Sequence, residues 1–335
     1  MHTAKDKDVM SLESKSKDQP AQTIGIMLID GFSMMSITTM INPFRSANRE
    51  LNAEAFKWEF LTLDDQPVTA SDGFEAKPTI NINSTQKFDY FFICSGLKTN
   101  PPNRARLNAA LQRFAKQSKI FGSLSSGAYM LARAGFLDGK DFTLHWENQT
   151  AFIEEFPELP PSSALFVTDG NLWTGSGGLS SMDIALKIID DAYGVKVANA
   201  VGNQYQIDRI RKPNIKQRPF FMAEYETLPP KLRAAVKLMI ENLERPLSVT
   251  ELGDAAGITV RSLERGFKQH LGVSPGKHYR KIRLEKAKQL LWHTNMSILE
   301  VSILTGFPSP SYLSRLYRQE FGMLPSDERK RSVSE

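Results

Sequence analysis

The chain has 335 residues, 41 % hydrophobic and 24 % charged, a composition of soluble globular proteins and a length that favours two domains over one. No stretch approaches the roughly 18–20 apolar residues of a membrane span, and the polar opening MHTAKDKDVMSLESKSKDQPAQ lacks the apolar core of a secretory signal. A single cysteine, Cys94, excludes an internal disulfide framework and a cysteine-based zinc cluster. The expectation is a cytoplasmic protein with a disordered lead-in over residues 1–22, no metal and no cofactor.

The net charge of +5 is unevenly spread. Residues 1–230 carry 24 basic and 26 acidic side chains, whereas residues 231–335 carry 18 and 11. A basic module joined to a near-neutral one points to a nucleic-acid reader attached to something else. On charge alone, a solvated basic surface is the competing reading.

From Thr23 the chain alternates strand-like and helix-like segments. TIGIMLID is an apolar run ended by Asp-Gly, and MINPFRSANREL has helical spacing. KWEFLTL and KFDYFFICSG read as buried strands, RARLNAALQRFAKQ as an amphipathic helix, and KIFGSL as the next strand. ALFVTDGNLWTGSGG reads as a hairpin turning at Asp-Gly-Asn, and SSMDIALKIIDDAYG as a helix stopped by Gly. Strands alternating with helices predict a mostly parallel sheet with helices on both faces. The first domain is placed at 23–198. Residues 199–230 lose this rhythm and gather Pro and basic residues, so they are expected to connect the domains.

After residue 230 the pattern is helical and repeats. Glu251, Gly257 and Ile258 match Glu300, Gly306 and Phe307 at an offset of 49. Leu263, Arg265, Gly272 and Pro275 match Leu313, Arg315, Gly322 and Pro325 at an offset of 50, so one residue is inserted in the second turn. Each copy reads as helix, tight turn at Gly, helix. Arginines on the second helices suit bidentate contact to guanine and to phosphate. A helical packing module without DNA is the competing reading. The segment VTELGDAAGITVRSLERGFKQHLGVSPGKHYRKIRLEKAKQLL, with SILEVSILTGF and SYLSRLYRQEFGMLP, resembles the AraC/XylS DNA-binding domain over residues 231–326. The resemblance implies recognition helices at about Val260–His270 and Pro310–Glu320, and a short C-terminal tail at 327–335. It implies DNA contacts from Arg261, Ser262, Glu264, Arg265 and Lys268, and from Ser311, Ser314, Arg315 and Arg318. Leu263, Phe267, Leu313 and Phe321 would be core.

In the first domain, GSLSSG reads as a strand-to-helix elbow that exposes Ser125 at the mouth of an α/β sheet, followed by Ser126 at a helix start. His145 is the natural candidate base, with Glu147 nearby. A serine with no base in reach has almost no nucleophilicity near neutral pH. The stretch GSLSSGAYMLARAGFLDGKDFTLHWE resembles the ThiJ/PfpI branch of the class I glutamine-amidotransferase-like fold over about residues 23–195. That implies a flavodoxin-like, mostly parallel sheet, here followed by an all-α double helix-turn-helix domain. Enzymes of that branch carry a cysteine where this chain has Ser125, and many carry a glutamate where Asn42 is expected to stand. A serine cannot ionise as a cysteine does, and Cys94 reads as a core residue.

The two domains together resemble the GlxA-type regulators. The resemblance implies an activator of catabolic genes, dimeric, working with RNA polymerase on promoter DNA and sensing a small amine or amino acid derivative such as glycine betaine, carnitine or arginine. The expected ligand pocket comprises Asn42, Ser125, Ser126, His145, Trp146 and Glu147, an aromatic face and a carboxylate being suited to a cation. Trp146 as plain core and Glu147 as a solvated charge is the other reading of those two residues. The alternative function is an amidase or other hydrolase using Ser125 and His145, with a DNA-binding module attached.

Overall fold

The computed structural model describes residues 20–96, 99–207, 210–213, 215–217, 225, 227–294 and 296–334. It divides into two compact units, residues 1–217 and 218–335. The lead-in expected over 1–22 lies outside the described residues up to residue 19, and Gln22 already begins the first strand.

The first unit is built on a six-stranded sheet. Its strands are β1 (Gln22–Leu28), β2 (Phe56–Leu61), β5 (Tyr90–Ser95), β6 (Ile120–Ser125), β7 (Phe166–Asp169) and β8 (Leu172–Gly175); β3 (Val68–Thr69) and β4 (Glu75–Ala76) form a separate short hairpin. The order is β2-β1-β5-β6-β8-β7, parallel throughout except for the antiparallel β7–β8 edge. The β7–β8 turn falls at Gly170-Asn171, with Gly170 at φ +59°. Side chains alternate between two cores, as a two-residue strand period requires. Ile24, Ile26, Leu28, Phe92, Cys94 and Leu124 face one cluster, while Met27, Phe91, Ile93 and Phe121 face the other.

Helices α1 (Met34–Glu50), α5 (Ser180–Tyr193) and α6 (Val195–Gln204) cover the first cluster. Helices α2 (Arg104–Gln117) and α3 (Ala128–Arg133) cover the second, and α4 (Gln149–Glu155) packs there through Phe152. The sheet is therefore covered on both faces, the three-layer flavodoxin-like arrangement.

The connection expected over 199–230 starts later than residue 199. Residues 199–204 complete α6, and Ala198 and Val201 are fully buried in the first core. Beyond the helix the chain stays fastened to this unit. The Tyr205 hydroxyl bonds Ser46 Oγ and donates to the Asn42 carbonyl, each at 2.7 Å. Arg211 pairs with the buried Asp183 at 2.7 Å, and the Ile215 carbonyl accepts from Leu165 N–H. Proline and basic residues hid this attachment because its partners lie far away in sequence.

The second unit comprises α7 (Pro230–Glu241), α8 (Val249–Ala256), α9 (Val260–Leu271), α10 (Pro275–His293), α11 (Ile298–Leu304), α12 (Pro310–Phe321) and α13 (Pro325–Ser334). The internal repeat is visible in its caps. Ser248 and Glu251 close a capping box on α8, and Ser297 and Glu300 close the same box on α11. Gly257 and Gly306 turn the corners at φ +64° and +65°. There are two small cores, one around Leu252, Leu263 and Phe267 and one around Val301, Leu313 and Tyr317. Helix α10 belongs to both, giving Tyr279 to the first and Leu284, Leu290 and Leu291 to the second. Arg283, on the same helix, donates to the Thr305 and Gly306 carbonyls and lies over the Phe307 ring. Residues 327–334, expected as a tail, are helical. Their anchor is Glu328, which is buried and accepts from the Tyr317 hydroxyl at 3.0 Å.

His278 on α10 is 8 % exposed, packed edge-on against Tyr225 and Phe267, and its Nε2 has no hydrogen-bond partner among the described residues. Burial, helped by the Lys281 charge, pushes its pKa down to about 4. The unfolded chain takes up this proton near pH 6.5 while the folded chain refuses it until about pH 4. The His278 contribution is therefore complete above about pH 6.5 and is lost as pH falls toward 4, by about 3 kcal/mol. In His278→Leu this loss is expected to disappear. Hydrogen exchange of α9 and α10 peptides in both proteins at pH 7 and pH 5 measures it, and a wild-type–variant difference that does not change with pH would contradict it.

Candidate functional site

On the second unit, the two expected recognition helices present their polar faces outward. Leu263 and Phe267 on α9 are fully buried, and Arg261, Glu264, Arg265 and Lys268 are exposed around them. Thr259 caps α9, accepting from Ser262 N–H at 3.3 Å and donating to Ser262 Oγ at 3.0 Å, so the Ser262 hydroxyl is occupied at the helix start. Lys268 Nζ donates to the Gly272 carbonyl at 3.2 Å, placing its charge at the helix C-terminus. On α12, capped by Ser309, Leu313, Leu316 and Tyr317 are buried while Ser311, Arg315 and Arg318 are exposed and Ser314 is half-buried. Phe321 is half-buried against the second core. The Arg315 guanidinium sits 5.0 Å from the centre of the Tyr312 ring, which orients it along the helix. The side chains of Arg261, Arg265 and Arg318 make no hydrogen bond or ion pair with another described residue. The 19 residues of α10 span about 28 Å, a length on the order of one DNA turn.

On the first unit, Ser125 ends β6 at φ +58°, a left-handed backbone that a non-glycine residue adopts only when its surroundings enforce it. The surroundings are tight. A side chain at Gly127 would run into the Ile93 carbonyl, and one at Gly177 would stand 2.7 Å from Ser125 Cβ and 2.9 Å from Ser36 Oγ. The elbow is therefore formed. The Ser125 hydroxyl, however, makes no hydrogen bond with any described residue. His145 does not bond it. Instead, His145 Nδ1 lies 3.5 Å from Glu147 Oε2, and burial lowers the imidazole pKa, so the ring is neutral at neutral pH.

The segment after His145 does reach the elbow, through a residue absent from the expected set. Asn148 Nδ2 donates to Ser126 Oγ at 2.8 Å, and the Asn148 carbonyl accepts from the Tyr129 hydroxyl at 3.3 Å. Trp146 is half-buried, with its ring centre 5.8 Å from that of His145.

Asn42 is not at the elbow. Its Nδ2 donates to the Thr38 carbonyl and its Oδ1 accepts from Arg45 Nε, both within α1. The α1 residue beside Ser125 is Ser36, whose Oγ accepts from Gly178 N–H at 2.8 Å and donates to Ser33 Oγ at 2.9 Å. Six residues further along a helix lie about 9 Å away and on another face. The missed signal was Ser33: it caps α1 by accepting from Ser36 N–H, which starts this helix just beyond the C-terminal end of β1. Cys94 is fully buried and its thiol is pushed up to about 12 by burial, so it is inert core.

A model of the DJ-1/PfpI family matches residues 22–191, and one of a helix-turn-helix domain matches residues 252–331. The HTH-type transcriptional regulator CdhR of Pseudomonas aeruginosa is 37 % identical over 312 residues, 92 % of this chain and 92 % of that one. The HTH-type transcriptional regulator GlxA of Rhizobium meliloti is 32 % identical over 324 residues, 96 % of this chain and all of that one.

The chain belongs to the HTH-type transcriptional regulators that join a DJ-1/PfpI domain to an AraC-type reader. A more partial likeness, 31 % over 166 residues, covers 49 % of this chain and 68 % of an isonitrile hydratase of Pseudomonas putida. AraC-type readers bind double-stranded DNA. In a reader of this kind, arginines that stand free on the second helix of each helix-turn-helix are available to base edges, and a lysine near the helix end to phosphate.

Arg265→Ala and Arg315→Ala are each expected to weaken specific DNA binding by about 1–3 kcal/mol and to relax selectivity at the bases they face. Lys268→Ala should lower affinity evenly across sequences and reduce the salt slope. Titrations against a selected duplex and a scrambled one, at two salt concentrations, distinguish these outcomes. Unchanged selectivity in both arginine variants would contradict the assignment.

Proposed function

We propose that this regulator is a ligand-responsive activator whose DJ-1/PfpI domain binds a small cationic metabolite and performs no chemistry on it. The observation that carries this reading is an elbow kept in its strained form around a serine with no base. Holding a non-glycine residue at positive φ costs about 1–3 kcal/mol, so the shape has a use even where the nucleophile does not.

The chemistry of the walls supports a cation. Trp146 offers a ring face, Glu147 a carboxylate and His145 a neutral imidazole, while the exposed Met35 and Leu179 flank Ser36 and Gly178 with apolar surface. Ring face, carboxylate and apolar rim suit a quaternary amine or a guanidinium-bearing amino acid derivative. A homodimer acting with RNA polymerase on catabolic promoters belongs to the same reading. Among the described residues no helix is long and apolar enough to cross a membrane. A cytoplasmic site of action belongs to the same reading, since that is where promoter DNA and polymerase meet.

The isonitrile hydratase likeness favours a second reading, an enzyme that uses Ser125 and His145. It requires a proton acceptor for the Ser125 hydroxyl, and none of the described residues bonds it.

Isothermal titration of the full chain with glycine betaine, carnitine, choline and arginine is expected to give heat with at least one of them. Trp146→Ala should weaken that binding by about 0.5–2 kcal/mol. No heat with any of the four would sink the ligand class. Hydrolysis of amide or ester substrates that vanishes in Ser125→Ala would overturn the non-enzymatic reading.

A further inference from the structure

A cavity of about 210 Å³ opens on the first unit between α2 and α3, lined by Pro101, Arg104, Leu107, Asn108, Met130 and Arg133. Neither Ser125, Ser126 nor any of residues 145–148 lines it. Its walls sort by polarity. Leu107 and Met130 are 2 % and 1 % exposed and Pro101 is buried, so the enclosed end is apolar. Arg104, the first residue of α2, is exposed at the rim, while Asn108, one turn further along the same helix, and Arg133 are half-buried.

The two arginines differ in what they already hold. Arg133 forks on the Glu155 carboxylate through Nε at 2.8 Å and Nη2 at 2.9 Å, and its Nη1 donates to the Thr99 carbonyl. Its charge is therefore matched. Arg104 gives Nε and Nη2 to one neutral acceptor, Asn100 Oδ1. That fixes one edge of the guanidinium and leaves Nη1 unbonded and the charge without an acidic partner among the described residues. The Asn108 amide likewise makes no hydrogen bond with a described residue.

We propose that this cavity binds a short aliphatic monocarboxylate. The carboxylate lies on Arg104 Nη1 and the Asn108 amide, and the tail lies among Leu107, Met130 and Pro101. At the rim the carboxylate stays partly hydrated, so a charge-assisted hydrogen bond is gained at little desolvation cost. One unmatched positive charge calls for one negative charge; a second would find only Arg133, already paired with Glu155. The volume holds about seven groups of the size of water, hence a tail of about five or six carbons. This site prefers the opposite charge to the cation reading at residues 145–147 and does not rest on it.

The test uses the full chain with isotope-labelled methionine methyls, the Met130 resonance being assigned by its loss in Met130→Leu. Acetate, butyrate, hexanoate and octanoate are titrated, with hexanamide and inorganic phosphate beside them. Hexanoate is expected to shift the Met130 methyl, and affinity to rise about threefold to fourfold per methylene. The rise should stop by octanoate, when the cavity is full. Hexanamide, which lacks the charge, and phosphate, which lacks the tail, should bind about tenfold more weakly or worse. Arg104→Met should weaken hexanoate binding by about tenfold or more. Lys116→Met, the same loss of charge at the other end of α2, should leave it unchanged.

A Met130 methyl that ignores hexanoate would overturn the proposal. So would an Arg104→Met protein that is folded, by its unchanged methyl spectrum, and binds hexanoate as wild type does. Affinity that climbs with chain length past octanoate would also overturn it, since that is partition onto apolar surface. Hexanoate binding that Trp146→Ala abolishes and Arg104→Met spares would place the carboxylate at the other site and sink this one. If hexanoate binds through Arg104 while none of the four amines gives heat, the cavity site stands and the cation reading fails.

Discussion

The tight reversal after β6 is the constraint on which the first unit depends. Parallel pairing sets Ser95 opposite Ser125, and the chain must turn at once from that point into α3. A left-handed Ser125 achieves this, and the neighbouring backbone leaves no alternative. Gly122 lies against the Trp173 carbonyl, Gly127 against the Ile93 carbonyl and Gly177 against Ser125 itself. Strain of this kind survives only where packing over-determines it. Here Ser36 of α1 and the Gly177-Gly178 loop close on Ser125, while Asn148 bonds the adjacent Ser126.

The same elbow explains why catalysis and shape separate. Activating a serine requires a base in hydrogen-bonding reach, itself oriented by a third group. Among the described residues, His145 has a carboxylate beside it but no serine, Ser125 has the elbow but no base, and Ser126 is occupied by Asn148. Among the described residues, none bonds the Ser125 hydroxyl to take its proton.

What could be read in the sequence was whatever is local or periodic. The second unit was legible nearly throughout because its stops and starts are single residues with fixed roles: Ser248 and Ser297 as caps, Gly257 and Gly306 as left-handed corners, Leu263 and Leu313 as core. The sheet was legible from apolar runs, and the β7–β8 hairpin from Asp-Gly-Asn. The surroundings of the elbow were not, because they depend on tertiary approach. Ser36 reaches the elbow from 89 positions away in the chain, and Asn148, which bonds Ser126, lies one residue past His145-Trp146-Glu147. Likeness of pattern puts Asn42 there, but the helical period carries it elsewhere. The Glu328–Tyr317 bond likewise turned an apparent polar tail into a packed helix.

Charge distribution then decides how the two units divide the work on DNA. With 24 basic and 26 acidic residues, the stretch 1–230 gives little attraction to phosphate, while 18 against 11 in residues 231–335 gives a great deal. Sequence-independent affinity comes from counterion release at neutralised phosphates, so it resides almost wholly with the reader. A sensor that added basic surface of its own would raise non-specific binding without touching a base. The first unit therefore adds little to that sequence-independent affinity.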